Sequence, residues 1–174
     1  MCLSSVCPAT PQVCRVAGKS MLIVKNKSFN DKDKLIWKWL KGAATTTAEF
    51  ADPTATADYA LCIYGGTATS LVAQIHIPPS STKWQPISTK GFKYKDVTLA
   101  ADGTQKVILK SGVAGKSKAL LKGRGANLPD PLDVGPLGTP VTAQLLNYQS
   151  GVCWEGNFTT AKKNTTAIYK AKSP

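Results

Sequence analysis

"KLIWKWLK", Lys34–Lys41, puts Leu35, Trp37 and Trp39 at alternate positions with Ile36, Lys38 and Leu40 between them. A repeat of two is that of a β-strand, whose side chains point to opposite faces in turn; a helix repeats at about 3.6. The face with two indoles and a leucine has a large apolar area to hide and is expected to meet a core. The other face, interrupted by Lys38, is expected to meet water. An exposed aromatic platform for a sugar ring is the alternative for Trp37 and Trp39, with Trp154 as a third candidate.

The same pattern extends outward from this stretch. Short apolar runs or alternations recur over Ser20–Asn26, Tyr59–Tyr64, Ser70–Ile77, Gly91–Lys95, Thr104–Lys110, Ser117–Lys122, Val141–Tyr148, Val152–Phe158 and Ala167–Lys172. Turn residues separate them, "GGTAT" after Tyr64 being one hairpin loop. Gly125–Pro140, rich in proline and glycine, cannot be a strand interior and reads as a long crossover. The expectation is an all-β chain: a single-domain, two-sheet antiparallel β-sandwich of about ten strands over residues 18–174, preceded by a flexible cysteine-bearing tail over residues 1–17. A chain of 174 residues is long enough to bury the core of one such domain.

Five cysteines, three of them in the first fourteen residues, bear on compartment. Cys2, Cys7 and Cys14 have no CxxC spacing and His76 is the single histidine, so a zinc site does not fit. Disulfides suit an exported protein better than exposed thiols would. Met1 is not followed by a basic and then apolar leader, which suggests a start inside a longer reading frame. Of the several pairings open, Cys62 with Cys153 is preferred because both fall in apolar strand-like runs. The alternative is that both are small buried hydrophobes. No stretch is apolar for long enough to span a membrane as a helix.

The net charge of +12 invites an anionic partner. Twenty of the 22 basic residues are lysines, and only Arg15 and Arg124 offer the guanidinium fork that specific nucleic-acid readout favours. The lysines are spread over nearly every strand, as in a protein that protects its sheets from aggregation. Specific nucleic-acid binding is therefore not expected; salt-sensitive attraction to anionic polymers or cell surfaces is. Two "GKS" triplets lack the upstream glycine of a phosphate loop and read as turns.

Catalytic chemistry has few supports. His76 is the one imidazole available to a nucleophilic mechanism, and no G-x-S-x-G elbow occurs. Asn127, Asp130 and Asp133 in the crossover are oxygen ligands of the kind Ca²⁺ takes from irregular loops. With His76 or Glu155 as general base, they would serve a metal-dependent hydrolase of esters or lactones, signalling lactones among them. Asp before Pro is also ordinary turn chemistry.

"KDKLIWKWLKGAATTTAEFADPTATADYALCIY", "GFKYKD", "GKSKALLKGRGANLPDP" and "GVCWEGNF" carry a resemblance covering roughly residues 14–163. In that order they are similar to a lysine-rich, cysteine-bearing β-domain of predicted exported and surface proteins of environmental bacteria. Many such domains have a further cysteine pair ahead of the position of Trp84, where this chain has only "PPSSTKW". The resemblance implies export and a β-rich architecture, with no catalytic residue to carry over. The leading expectation is a secreted or surface-associated module acting by binding or as an accessory domain. The Ca²⁺-dependent hydrolase is the alternative, and polysaccharide binding is the third.

Overall fold

The computed structural model describes residues 6–133 and 135–174. Twelve strands follow one another: β1 (Arg15–Lys25), β2 (Lys34–Gly42), β3 (Tyr59–Gly65), β4 (Ser70–Ile77), β5 (Trp84–Pro86), β6 (Gly91–Lys95), β7 (Thr104–Lys110), β8 (Ser117–Arg124), β9 (Val141–Asn147), β10 (Cys153–Phe158), β11 (Lys163–Asn164) and β12 (Ile168–Ser173). With 48% strand and 4% helix the chain is all-β. The helical part is two single 3₁₀ turns, Asn30–Lys32 and Ala48–Phe50. All ten expected strands are present within a few residues of their anticipated ends. The two unanticipated ones, β5 and β11, are three and two residues long, too short for an alternation to register.

The strands form one sheet curled into a half-barrel. Its order is β4-β3-β9-β10-β1-β2-β8-β7-β6-β5, with β12 on β1 and β11 on β12. β1 joins the two halves. Its first residues, Arg15 and Val16, run parallel to β10, while Ser20–Lys25 pair antiparallel with β12, and β2 lies along its other edge. All other pairs of these strands are antiparallel.

Period two decides what is inside. Leu35, Trp37 and Trp39 of β2 are 0–1% exposed, as are Leu22 and Val24 of β1 and Ala119 and Leu121 of β8. They belong to the same core cluster as Leu61 and Ile63 of β3, Ile75 and Ile77 of β4, and Leu145 and Trp154 of the β9–β10 hairpin. A chain of ring contacts crosses this core: Phe50 to Trp154 at 5.4 Å, Trp154 to Tyr59 at 6.5 Å, Tyr59 to Trp84 at 5.7 Å and Trp84 to Tyr94 at 5.2 Å. Such spacings are those of favourable offset and edge contacts. The Trp39 indole N–H donates to the Arg15 carbonyl and that of Trp154 to the Thr45 hydroxyl. At Gly42, where β2 loses register with β8, a Cβ would sit 1.9 Å from the Trp39 ring, so only glycine fits.

The sugar platform is therefore corrected. Trp37, Trp39 and Trp154 are 0%, 1% and 0% exposed and present no ring face to a ligand. Trp37→Ala is expected to cost about 3–5 kcal/mol, the range for emptying a large aromatic site. For a chain of this size that lowers Tm by roughly 6–20 °C, readable in a thermal melt. A stable Trp37→Ala that loses affinity for glucan or chitin would reverse this assignment.

Residues 6–14 are not a flexible tail. They form a strap across the outer face of β3, β9 and β10, closed by disulfides Cys7–Cys62 and Cys14–Cys153. The expected Cys62–Cys153 bridge is thus replaced: both residues are bonded, each to the strap. Cys62 lies opposite Gln144 of β9, and β9 separates it from β10 and Cys153. Two strand spacings are roughly 10 Å, beyond the ~7 Å Cα limit for a disulfide. Cys2 falls outside the described residues.

Hydrogen bonds hold the strap as a further layer. Gln144, buried on β9, exchanges two with the Gln12 backbone, accepting from its N–H at 3.0 Å and donating to its carbonyl at 2.6 Å. The Cys7 N–H donates to the Gln74 side-chain oxygen, and the Tyr64 hydroxyl to the Pro8 carbonyl at 2.9 Å. Beneath lies a second apolar cluster of Cys7, Ala60, Cys62, Tyr64, Leu146 and Cys153. Burial, with the Tyr148 phenol nearby, pushes the Tyr64 hydroxyl up to about 12.

Candidate functional site

On β12, β1, β2, β8, β7 and β6 the residues between the buried ones point away from the core. Their burial alternates over residues 19–25 of β1, residues 34–40 of β2 and all of β8. The outward positions hold Lys19 and Lys25 on β1, Lys34 and Lys38 on β2, and Lys118, Lys122 and Arg124 on β8. Lys106 and Lys110 on β7, Lys93 and Lys95 on β6, and Lys170 and Lys172 on β12 complete the set. Twelve of the twenty lysines and one of the two arginines thus share one face. The residues between them are half-buried aliphatics: Met21, Ile23, Ile36, Leu40, Ile108, Leu120 and Ile168. No aspartate or glutamate occupies an outward position on these strands.

This corrects the expectation that the lysines are scattered. They are dispersed in sequence and collected in space, because strands far apart in the chain are neighbours in the sheet.

Register makes the charge density costly. Lys25 lies opposite Lys34, and Lys34 opposite Arg124. Lys95 lies opposite Lys106, and Lys106 opposite Lys122; Lys110 faces Lys118. Like charges directly across a ladder destabilise it by a few tenths of a kcal/mol or more per pair, where opposite charges would stabilise. Among the described residues the ion pairs are Arg15–Glu49, His76–Asp58 and Lys83–Asp96, none of which involves a cation of this face. The aliphatic pairs Ile23–Ile36 and Ile108–Leu120 hold the ladder between the charges.

Where β5 to β8 come together the face carries a groove of about 710 Å³. Lys93, Lys95, Lys106, Lys122 and Lys83 line it with Thr82, Gln85 and Gln105. Lys83 differs from the rest, its ammonium lying 2.8 Å from the buried Asp96 carboxylate. Burial raises the proton affinity of Asp96, but Lys83, the Thr98 hydroxyl and the N–H groups of Thr98 and Ala100 outweigh it. Together they hold the carboxyl well below its usual range. Asp96 thus anchors the loop behind β6 as an anion, and the other four lysines remain uncompensated.

None of the remaining candidates occupies an outward position on these strands. The His76 imidazole Nε2 is 2.6 Å from the Asp58 carboxylate, and its backbone N–H donates to Asp102 at 2.8 Å. Glu155 lies on β10, three strands from β4, accepting from Gln144 and Asn157. His76 and Glu155 therefore do not share a site. Asn127 donates to the Leu99 carbonyl, Asp130 accepts from the Leu132 N–H, and Asp133 accepts from Asn26. Burial, then the Asp133 and Asp33 carboxylates, raises the Asp130 carboxyl. Among the described residues no group of three or more His, Cys, Asp or Glu side chains is assembled in metal-ligating geometry. No helix among them is long and apolar enough to cross a membrane.

Fold and site together define an all-β domain with one lysine-covered face and a disulfide strap on another part of the sheet. No family model, curated protein or solved structure matches the chain.

Proposed function

We propose that this protein is a non-catalytic binding module, exported or held at the cell surface, that takes an anionic polymer or surface onto its lysine face. One observation carries the reading: twelve lysines and Arg124 share the outward positions of six strands, none of which is acidic, several in direct like-charge register. A face that weakens its own ladder is relieved when an external polyanion supplies the missing negative charge. Lysine suits the task, since its ammonium is a mobile point charge that attracts without demanding a fixed geometry. Two disulfides support an oxidising compartment, in keeping with the resemblance to exported bacterial β-domains. The curl of the sheet is read as two packed layers, a reading supported by the Tyr59–Trp84 contact between β3 and β5.

Retention on immobilised polyphosphate tests this. The parent should elute only at raised salt, and a variant with Lys38, Lys106 and Lys122 changed to Glu should flow through while keeping its circular dichroism spectrum. A parent that flows through at low salt refutes the proposal. EDTA-sensitive turnover of chromogenic esters or lactones would instead favour the Ca²⁺-dependent hydrolase.

A further inference from the structure

We infer that the groove across β5 to β8 is a discrete site for closely spaced phosphate groups, with Lys93, Lys95, Lys106 and Lys122 as its cations. This rests on the binding-module reading and names the ligand class for one part of the face. Lys95, Lys106 and Lys122 form an unbroken row across three adjacent strands. Directly opposed residues in antiparallel strands have Cα atoms about 4.5–5.5 Å apart. Three lysines rooted at that spacing, joined by Lys93, can gather their ammonium groups around a ligand with several closely packed negative charges. Linked phosphates provide that density; single carboxylates spread along a sugar chain do not.

The neutral part of the lining agrees. Gln85, Gln105 and Thr82 offer uncharged N–H and O–H donors for phosphate oxygens beyond those the lysines neutralise. Tyr94 lines the groove, but its ring is buried and its hydroxyl donates to Asp96 at 3.3 Å, so it offers a nucleobase or sugar no stacking surface. The outer end of the face is different in kind. Around Met21, Lys38 and Lys172 the cations alternate with aliphatics, and the other row of directly opposed cations, Lys25, Lys34 and Arg124, does not line the groove. General attraction belongs to the whole face, and oxyanion selectivity to the groove.

Calorimetry with tripolyphosphate is the test, run on the parent, on Lys106→Gln/Lys122→Gln, and on Lys19→Gln/Lys172→Gln as a control at the far end. The groove substitutions remove directly opposed like charges, and Lys19 and Lys172 lie at outward positions opposite Leu40 and Met21, so the fold is retained in every variant, as a thermal melt will verify. The parent should bind one tripolyphosphate, the groove variant at least tenfold more weakly, and the control within about twofold of the parent. Equal losses in both variants overturn the inference, as does binding no tighter than that of orthophosphate. If the parent is nevertheless retained on long polyphosphate, the face reading survives the loss of the groove. If retention is absent too, both fail. Co-sedimentation with phosphatidylcholine vesicles carrying a bisphosphorylated lipid, competed by tripolyphosphate, assigns the source to a lipid headgroup; tripolyphosphate binding without co-sedimentation assigns it to a soluble chain.

Discussion

Raising the salt from 50 to 500 mM is expected to weaken binding of a long polyphosphate to this protein by about four orders of magnitude. The estimate follows from counterion release: each phosphate neutralised by a lysine frees a condensed cation, and log K falls with log salt at about −0.7 per contact for a flexible chain. Six simultaneous contacts, half the lysines of the face, give a slope near −4. Replacing one contacting lysine by glutamine should reduce the magnitude of the slope by about 0.7, the share of a single contact. A slope near zero with affinity preserved would mean that binding relies on hydrogen bonds or apolar contact, and the face would lose its assigned role. Ile23, Ile36, Ile108 and Leu120 serve in this scheme as ladder contacts, so their contribution should not vary with salt.

The second large effect concerns the strap. The Cys7–Cys62 bridge closes 55 residues and Cys14–Cys153 closes 139. Loop-closure entropy puts bridges of these spans at about 4 and 5 kcal/mol, and measured values run nearer 2–4. Cys14→Ser/Cys153→Ser should therefore cost about 3 kcal/mol, or roughly 6–12 °C in Tm. The loss has a specific location. Arg15 follows Cys14 directly, pairs with Trp154 in the parallel β1–β10 register, and binds Glu49 through two hydrogen bonds. That guanidinium, with the Thr46 N–H, holds the Glu49 carboxyl down at about 2. Freeing the strap loosens the joint between the two halves of the sheet and exposes the apolar cluster around Tyr64 and Leu146. A serine double variant that melts with the parent, and whose amides at Ala60–Tyr64 exchange no faster, would show that the strap is ornamental to stability.

These two effects mark what the sequence discloses and what it conceals. "KLIWKWLK" reveals its strand and its inward face because alternation is local; Leu35, Trp37 and Trp39 needed no partner to be assigned. The strap was hidden because disulfide connectivity depends on which strands are neighbours, and Cys62 and Cys153 are separated by β9, a strand that precedes Cys153 by only a few residues in sequence. The lysine face was hidden for the same reason. Lys34 is remote in sequence from Lys122 and becomes its neighbour only once β2 and β8 are laid side by side, while Lys106 joins them through the β7–β8 hairpin. The local signal was present: outward lysines an even number of positions apart on each of six strands. Its convergence required the strand order.

An NMR titration of the ¹⁵N-labelled protein with polyphosphate tests directly whether this convergence is the site. Shift changes should concentrate at backbone amides of β1, β2, β8, β7 and β6, strongest near Lys106 and Lys122, and be nearly absent from β3, β4 and β9. Changes spread evenly over all lysine-bearing segments, or centred on the His76 end of β4, would contradict a lysine face as the place where the partner binds.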